Sequence, residues 1–478
     1  MTYSAFDSIL ENKVGFGKYQ YISYIFIGLT QFSDGSEIVA LSILLPVLKA
    51  EWNISDDQQG LLGSVLFFGI FCGSLLGGWV SDKVGRRKAL LHASYIQFIV
   101  GVLSTFVTNV SVFIFVRGIF GVIIGFTIPL TPSLASELTP VDLRGKGVVA
   151  INFFFSLGKF FAVIVAKFCL DSLQSGNWRA MLIWCSMPSL FVFLGTWLYV
   201  KESPRFLIAV GQIEEGVEVL NYMGRVNMPN NHQVVSRDEI EDLRVWQQNL
   251  FSQNQAADIK ALFTPKNRRI TSLLWIMWFT LNFTFYGMIF ILPFMLSELE
   301  LQDSGSGTDG LNGLLYTIAG EVPSIVIALY IVEKEAFGRK GTIIYSNIAA
   351  TIVFFVAYIS PVSLLVPLLT LGRLFLKLNF AMIYPITTEY YPTTIRVAGM
   401  GFASGVGRLG STIMPYWLLA FLNVSVLFPV FGFAIFTAIH GISAFFLPYD
   451  TRGKQLDLLE DFDKQQSGKK TSIAMVEL

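Results

Sequence analysis

Two carboxylates, Asp34 and Glu37, stand one helical turn apart in "TQFSDGSEIVALSILLP" (residues 30–46), a stretch that otherwise reads as one long apolar helix. Arg117, Lys159, Glu321, Arg373, Lys377 and Arg408 interrupt other apolar runs in the same way, giving eight such charges. In the core of a soluble protein the two acids would be an error or a catalytic pair. At the centre of a bilayer each unpaired charge costs about 2.5–3.5 kcal/mol, so the whole set would cost on the order of 20 kcal/mol, more than the net stability of a typical fold. They must therefore face an interior where pairing or hydration cancels the cost. Asp34 and Glu37 at i, i+3, and Arg373 and Lys377 at i, i+4, each share one helical face. Such faces suit a central aqueous pathway. Tyr286 and Tyr384 add phenols that need partners when buried; most of the 43 Phe simply face lipid or other helices.

The elements that must position these groups are membrane spans. Of 478 residues 53% are apolar and 14% charged, with mean hydropathy +0.58, against about 25% charged in soluble domains. With 34 acids and 34 bases there is no electrostatic case for a nucleic-acid partner. Cys72, Cys169 and Cys185 show neither disulfide nor metal spacing, and His92, His232 and His440 are scattered. No phosphate-cradling loop, HExxH, CxxC or nucleophile elbow occurs. We therefore expect no enzyme activity, no metal and no cofactor. The first apolar run, about 21–48, is too long for a signal-peptide core and reads as a retained anchor.

At about 20 apolar residues per span, twelve candidates lie at 19–48, 57–81, 88–108, 111–136, 146–171, 179–200, 269–297, 311–333, 341–360, 362–388, 397–421 and 423–447. The expected organisation is a short segment 1–18, a six-helix bundle 19–200, a polar linker 201–268, a second bundle 269–447 and a polar, disordered tail 448–478. Lys83, Arg86, Arg87, Lys88, Arg144, Lys146, Lys334, Arg339 and Lys340 crowd the loops on one side. By the positive-inside rule that side, with both termini and the linker, is cytosolic. The sequons at Asn53, Asn109 and Asn423 fall on the other side in short loops, where chance matches are the simpler reading.

The halves repeat. Glu137-Leu-Thr-Pro140 is followed by Arg144 and Gly147, and Glu389-Tyr-Tyr-Pro392 by Arg396 and Gly399, at an offset of 252 residues. "SDKVGRRK" (81–88) recurs as "KEAFGRK" (334–340) at an offset of 253. Two motifs repeating in order at nearly one offset indicate duplicated six-span halves.

"GGWVSDKVGRRK" resembles the major facilitator signature, and "RGIFGVIIG", "KESPRFL" and "LPYDTRGKQL" resemble its sugar and organic-ion porter branch. "SDGSEIVALSILLPVL", "ALFTPKNRRITSLLWIMWFTLNFTFYG" and "EYYPTTIRVAGMGFASGVGRLG" look like the synaptic vesicle 2-related proteins and their nicotinate-permease relatives. The resemblance implies an all-α membrane protein of twelve helices in two pseudo-symmetric bundles, working by alternating access around a midplane site. It also implies a gating role for Asp82, Gly85, Arg86, Arg87, Glu137 and Arg144, and for Glu335, Gly338, Arg339, Glu389 and Arg396 in the second half. In proton-coupled sugar porters an acid of span 1 pairs with the arginine opening the span 4 glycine motif; the matching positions are Glu37 and Arg117. Whether that pair is a coupling switch or a static bridge is open.

Three buried acids against five bases leaves two excess positive charges. An anionic substrate would neutralise them, with Lys159, Lys377, Arg373, Arg408, Tyr286 and Tyr384 as binding candidates and Glu37, Asp34, Arg117 and Glu321 as proton-coupling candidates. The alternative is that Lys159 and Lys377 pair with Asp34, Glu37 or Glu321. The expected function is a secondary active transporter, acting as a monomer in a plasma or vesicle membrane and moving a small organic anion, with protons as the coupling ion. An organic cation or sugar carrier, or a non-transporting vesicle or receptor protein of the same fold, are the competing readings. The glycines of spans 2, 4 and 11, among them Gly69, Gly73, Gly77, Gly121, Gly125 and Gly401, are expected to let helices approach closely.

Overall fold

The structure is a computed structural model and describes residues 5–230, 234–253, 259–265, 267–302, 310–324, 327, 338–391 and 395–450. Short helices open the chain, with α1 at Ala5–Ile9. The long helices before the linker are α2 (Lys18–Trp52), α3 (Asp56–Val84), α4 (Arg86–Ser104), α5 (Val110–Glu137), α6 (Arg144–Cys169) and α7 (Trp178–Leu198). A small hairpin, β1 (Leu170–Ser172) with β2 (Ser175–Gly176), joins α6 to α7. The linker folds into α8 (Pro204–Ala209), α9 (Ile213–Asn227) and α10 (Arg237–Gln253). Beyond it come α11 (Arg268–Gln302), α12 (Gly310–Ala319), α13 (Gly338–Ile359), α14 (Leu365–Tyr390), α15 (Arg396–Leu422) and α16 (Phe428–Phe445). Among the described residues nine helices are long and apolar enough to cross a membrane. α4, α12 and α15 occupy the places of the other three expected spans; the later part of the span expected at 311–333 lies outside the described residues.

Local chemistry sets the boundaries. Ser55 and Gln58 form a reciprocal capping box at the start of α3. Gly85, at φ 105°, breaks α3 from α4 in a conformation that side chains rarely adopt. All three sequon asparagines have structural work: Asn53 ends α2 in the left-handed region, Asn109 caps α5, and Asn423 donates to Asp56 at 3.4 Å.

The chain falls into two compact units: Met1–Gln255 with Tyr286–Val322 and Ser411–Pro429, and Ala256–Phe285 with Pro323–Gly410 and Val430–Leu478. In the first unit α3 packs along α5, α2 along α6 and α7, and α4 along α7. Glycine makes the first of these seams possible. A Cβ at Gly69, Gly73 or Gly77 would strike the backbone of α5, and one at Gly121 or Gly125 would strike that of α3. Gly401 departs from expectation, because a Cβ there would meet open space. The close approaches of α15 occur instead at Gly407 and Gly410, against α11.

Two polar regions are more structured than their composition suggests. Phe6, Ile9, Leu10 and Val14 are buried with Leu138, Ile208, Leu220, Met223 and Leu243, so α1 and the linker share one core. Phe6 stacks on Trp246 at 5.6 Å. The tail, expected to be disordered from 448 onward, is held at its first residues. Tyr390 donates to the Tyr449 carbonyl, and Asp450 accepts from the backbone N–H groups of Arg339 and Lys340. Residues after 450 lie outside the described ones.

Candidate functional site: buried charges

The face of α2 that carries Ser33, Asp34, Ser36 and Glu37 is fully buried in the first unit. The two acids have different surroundings. Glu37 Oε2 accepts from Arg117 Nη1 at 3.1 Å and Oε1 accepts from the Ser186 hydroxyl at 2.7 Å. Arg117 also donates to Ser104 at 3.1 Å and lies over the rings of Phe113 and Phe120. Asp34 accepts from neutral donors alone among the described residues: Gln97 Nε2 at 3.0 Å on one oxygen and Thr127 Oγ1 at 2.8 Å on the other. Sequence reasoning placed Glu37 against Arg117, and the structure brings those two together. It missed Gln97, Thr127, Ser104 and Ser186, because a polar uncharged residue in an apolar run gives no sequence signal of what it faces.

Lys159 pairs with Glu321, both fully buried, and Ser156 donates to the same carboxylate oxygen at 3.3 Å. Lys159 is on α6 and Glu321 lies in the helical residues 321–324 just after α12, so the pair bridges segments from either side of the linker. This is the pairing the sequence left as an alternative for Lys159. Tyr286, also in the first unit, packs its ring against Phe67 at 4.9 Å.

The second unit holds the other cations. Arg373, Lys377 and Arg408 are all buried there. Lys377 Nζ lies 5.9 Å from the Phe285 ring centre, and Phe285 packs on Phe380 at 4.6 Å. Tyr384 meets the edge of Trp278 at 4.9 Å, while Trp278 Nε1 donates to Thr387 at 2.9 Å. The structure thus places Arg373, Lys377 and Arg408 in one unit with the rings of Trp278, Phe285, Phe380 and Tyr384.

The loop motifs reproduce the sequence repeat in their bonds. Arg86 bonds Asp82 at 2.7 Å and Glu137 at 3.2 Å; at the corresponding positions of the second half Arg339 pairs with Glu389. Arg144 Nε donates to the Thr139 carbonyl at 3.1 Å and Arg396 Nε to the equivalent Tyr391 carbonyl at 3.3 Å. Glu202 accepts from the backbone N–H of Arg87 at 2.9 Å just after Gly85, much as Asp450 accepts just after Gly338, which has φ 57°. Arg87 also donates to the carbonyls of Trp197 and Val200. Glu335 lies outside the described residues. Asp7, which sequence reasoning did not single out, pairs with Arg144. The apolar spacing of Phe6, Ile9 and Leu10 was the signal that this end folds back.

Long apolar helices, a duplicated charged loop and a buried set of opposite charges define a membrane transporter of the major facilitator fold. Residues 17–462 match the family described as sugar (and other) transporter. The chain belongs to that family. It is 30% identical to the synaptic vesicle 2-related protein of Xenopus laevis, over 93% of this chain and 80% of that one. It is 27% identical to organic cation/carnitine transporter 7 of Arabidopsis thaliana, over 93% and 94%. Its fold is similar to the inward-open conformation of the xylose transporter XylE from E. coli, with TM-score 0.74, 18% identity and coverage of 93% and 99%. The chain is therefore a multi-pass membrane protein that moves a small solute, and not an enzyme.

Proposed function

We propose that this transporter moves a small organic anion, a nicotinate-like aromatic carboxylate, together with protons. It works by alternating access of two six-span bundles, 19–200 and 269–447, as a monomer with both termini in the cytosol of a cell whose plasma or vesicle membrane holds it. The observation that carries the reading is the burial of five cations, Arg117, Lys159, Arg373, Lys377 and Arg408, within the apolar runs that Asp34, Glu37 and Glu321 also interrupt. Charges at such depth persist where they bind or relay charge. Arg373, Lys377, Arg408 and Tyr384 bind the anion in this reading, joined by Lys159 and Tyr286, while Glu37, Arg117, Asp34 and Glu321 handle the proton. Asp82, Gly85, Arg86, Arg87, Glu137 and Arg144 with Glu335, Gly338, Arg339, Glu389 and Arg396 act as the gate.

The test is uptake into proteoliposomes of labelled nicotinate, other monocarboxylates, organic cations and sugars, with and without an inward proton gradient. Gradient-driven accumulation of a carboxylate is expected; accumulation of none of them would overturn the reading. One observation favours a second reading. Asp34, whose described partners are neutral, is a place for an amine, and one relative is named an organic cation/carnitine transporter. Uptake of cations and no anions would establish that alternative.

A further inference from the structure

We infer that the cleft between the α3–α4 loop and the linker helices holds one bilayer phospholipid by its head group. Lys83, Lys88 and Lys201 take the phosphodiester, and Glu215 and Glu218 take a primary amine. The site lies wholly within the first unit and does not depend on which solute the transporter moves.

The cleft has a volume of about 560 Å³. The ends of spans form one part of its wall: Lys83 and Val84 close α3, Lys88 lies in the first turn of α4, and Lys201 follows α7. The linker supplies the rest, with Phe206 and Leu207 buried and Glu215, Glu218 and Tyr222 exposed. Glu202 also lines the cleft, but it is committed to the backbone. It accepts from the N–H groups of Arg87 at 2.9 Å and Ser203 at 3.0 Å, and a Cβ at Gly85 would collide with it. Among the described residues no carboxylate forms an ion pair with Lys83, Lys88 or Lys201. Lys83 Nζ lies 3.8 Å from the Trp79 ring centre and Lys201 Nζ 5.2 Å from that of Tyr222. Three ammonium groups held this way suit the oxygens of a phosphate.

The surroundings commit that phosphate to a lipid. Phe68, Leu75, Leu76 and Trp79 are exposed along one face of α3 and lead at helical spacing to Lys83, while the glycine face of the same helix packs on α5. Trp197, Leu198 and Tyr199 are exposed at the end of α7, just before Lys201. Aromatic rings so placed mark the depth of the head groups. An acyl chain laid on the α3 stripe brings its phosphodiester to Lys83; a free phosphate would leave the stripe bare. The charges then order the head group. Glu215 and Glu218 stand on α9, outside the spans, so the part beyond the phosphate must be positive. A primary ammonium donates hydrogen bonds to carboxylates, whereas a quaternary one has no N–H to give. A head group that is anionic throughout would meet the two acids with like charge.

The test uses the full chain in nanodiscs of phosphatidylcholine, phosphatidylethanolamine and phosphatidylglycerol in equal parts, with the lipids retained after release counted by native mass spectrometry. One phosphatidylethanolamine per chain should stay bound in preference to the other two. Lys83→Gln, Lys88→Gln and Lys201→Gln should each weaken its retention about fivefold. Glu215→Gln/Glu218→Gln should keep a bound phospholipid but shift the preference to phosphatidylglycerol, a reversal that misfolding cannot mimic. Retention of all three lipids alike by the wild type, or a preference unmoved by both sets of variants, overturns the inference. Free glycerophosphoethanolamine binding as tightly as the lipid would overturn the bilayer as the source of the occupant.

Discussion

Glu37–Arg117 and Lys159–Glu321 are both fully buried ion pairs, yet they join different stretches of the chain. The first joins two helices of one sequence half and is wrapped by Ser186, Ser104 and two phenylalanine rings. The second joins helices from opposite halves and has one described hydroxyl, Ser156, on its carboxylate. The same chemistry thus closes a contact within one sequence half in one place and across the linker in the other. What distinguishes them is separation along the chain, since all four residues lie in the first compact unit.

The largest effects come from breaking either pair on one side. Arg117→Met and Lys159→Met should each destabilise the protein by about 3–5 kcal/mol, because each leaves a buried carboxylate without its cation. Neutralising both members should recover most of that loss in thermal unfolding of the purified protein. Transport then separates the pairs: Glu37→Gln/Arg117→Met should keep exchange of the labelled substrate, and Lys159→Met/Glu321→Gln should lose it. Equal loss in both would erase the functional distinction between the two pairs.

A middle-sized effect tests how much each acid depends on its neutral donors. Thr127→Val removes one of Asp34's two described donors and should cost about 1–3 kcal/mol, whereas Ser186→Ala, with Arg117 still on Glu37, should cost less. A larger loss from Ser186→Ala would reverse the ranking of the two sites.

The smallest effect belongs to an ion pair outside the spans. Lys13 bonds Glu239 at 2.5 Å, tying the chain's start to α10. Partial burial would raise the Glu239 carboxyl, but Lys13 and Ser236 outweigh it and hold the group below the usual carboxylate range. A depressed folded value means that this stabilisation is present at neutral pH, above the unfolded pKa, and disappears as pH falls through the folded one. Partly exposed, the contact is worth no more than about 1 kcal/mol. Hydrogen exchange at residues 5–14 should quicken below the carboxylate range, and Glu239→Gln should remove that pH dependence.

Much of the architecture could be read from the chain because lipid imposes one strong rule: a span must be long, apolar and helical. The repeat was visible because its glycines and charges are held by spacing, and the Arg86–Glu137 and Arg339–Glu389 bonds follow it. The glycine seam of α3 and α5 was legible for the same reason, while Gly401 misled, since small size marks the chance of close approach and not its presence. The pairing of Lys159 was one of several open options, because sequence gives depth in the membrane but not the direction a helix faces. Asp7 and the ordered linker escaped notice, since short amphipathic helices in polar surroundings carry little periodic signal.

The burial of Phe6 beneath Trp246 also has a consequence for synthesis. About 240 residues separate the two, so Phe6 is made long before the ring that stacks on it. At roughly 5–20 residues per second of translation, it waits on the order of 10–50 s for the linker to appear. A chaperone or the insertion machinery has that interval in which to hold or capture the exposed end.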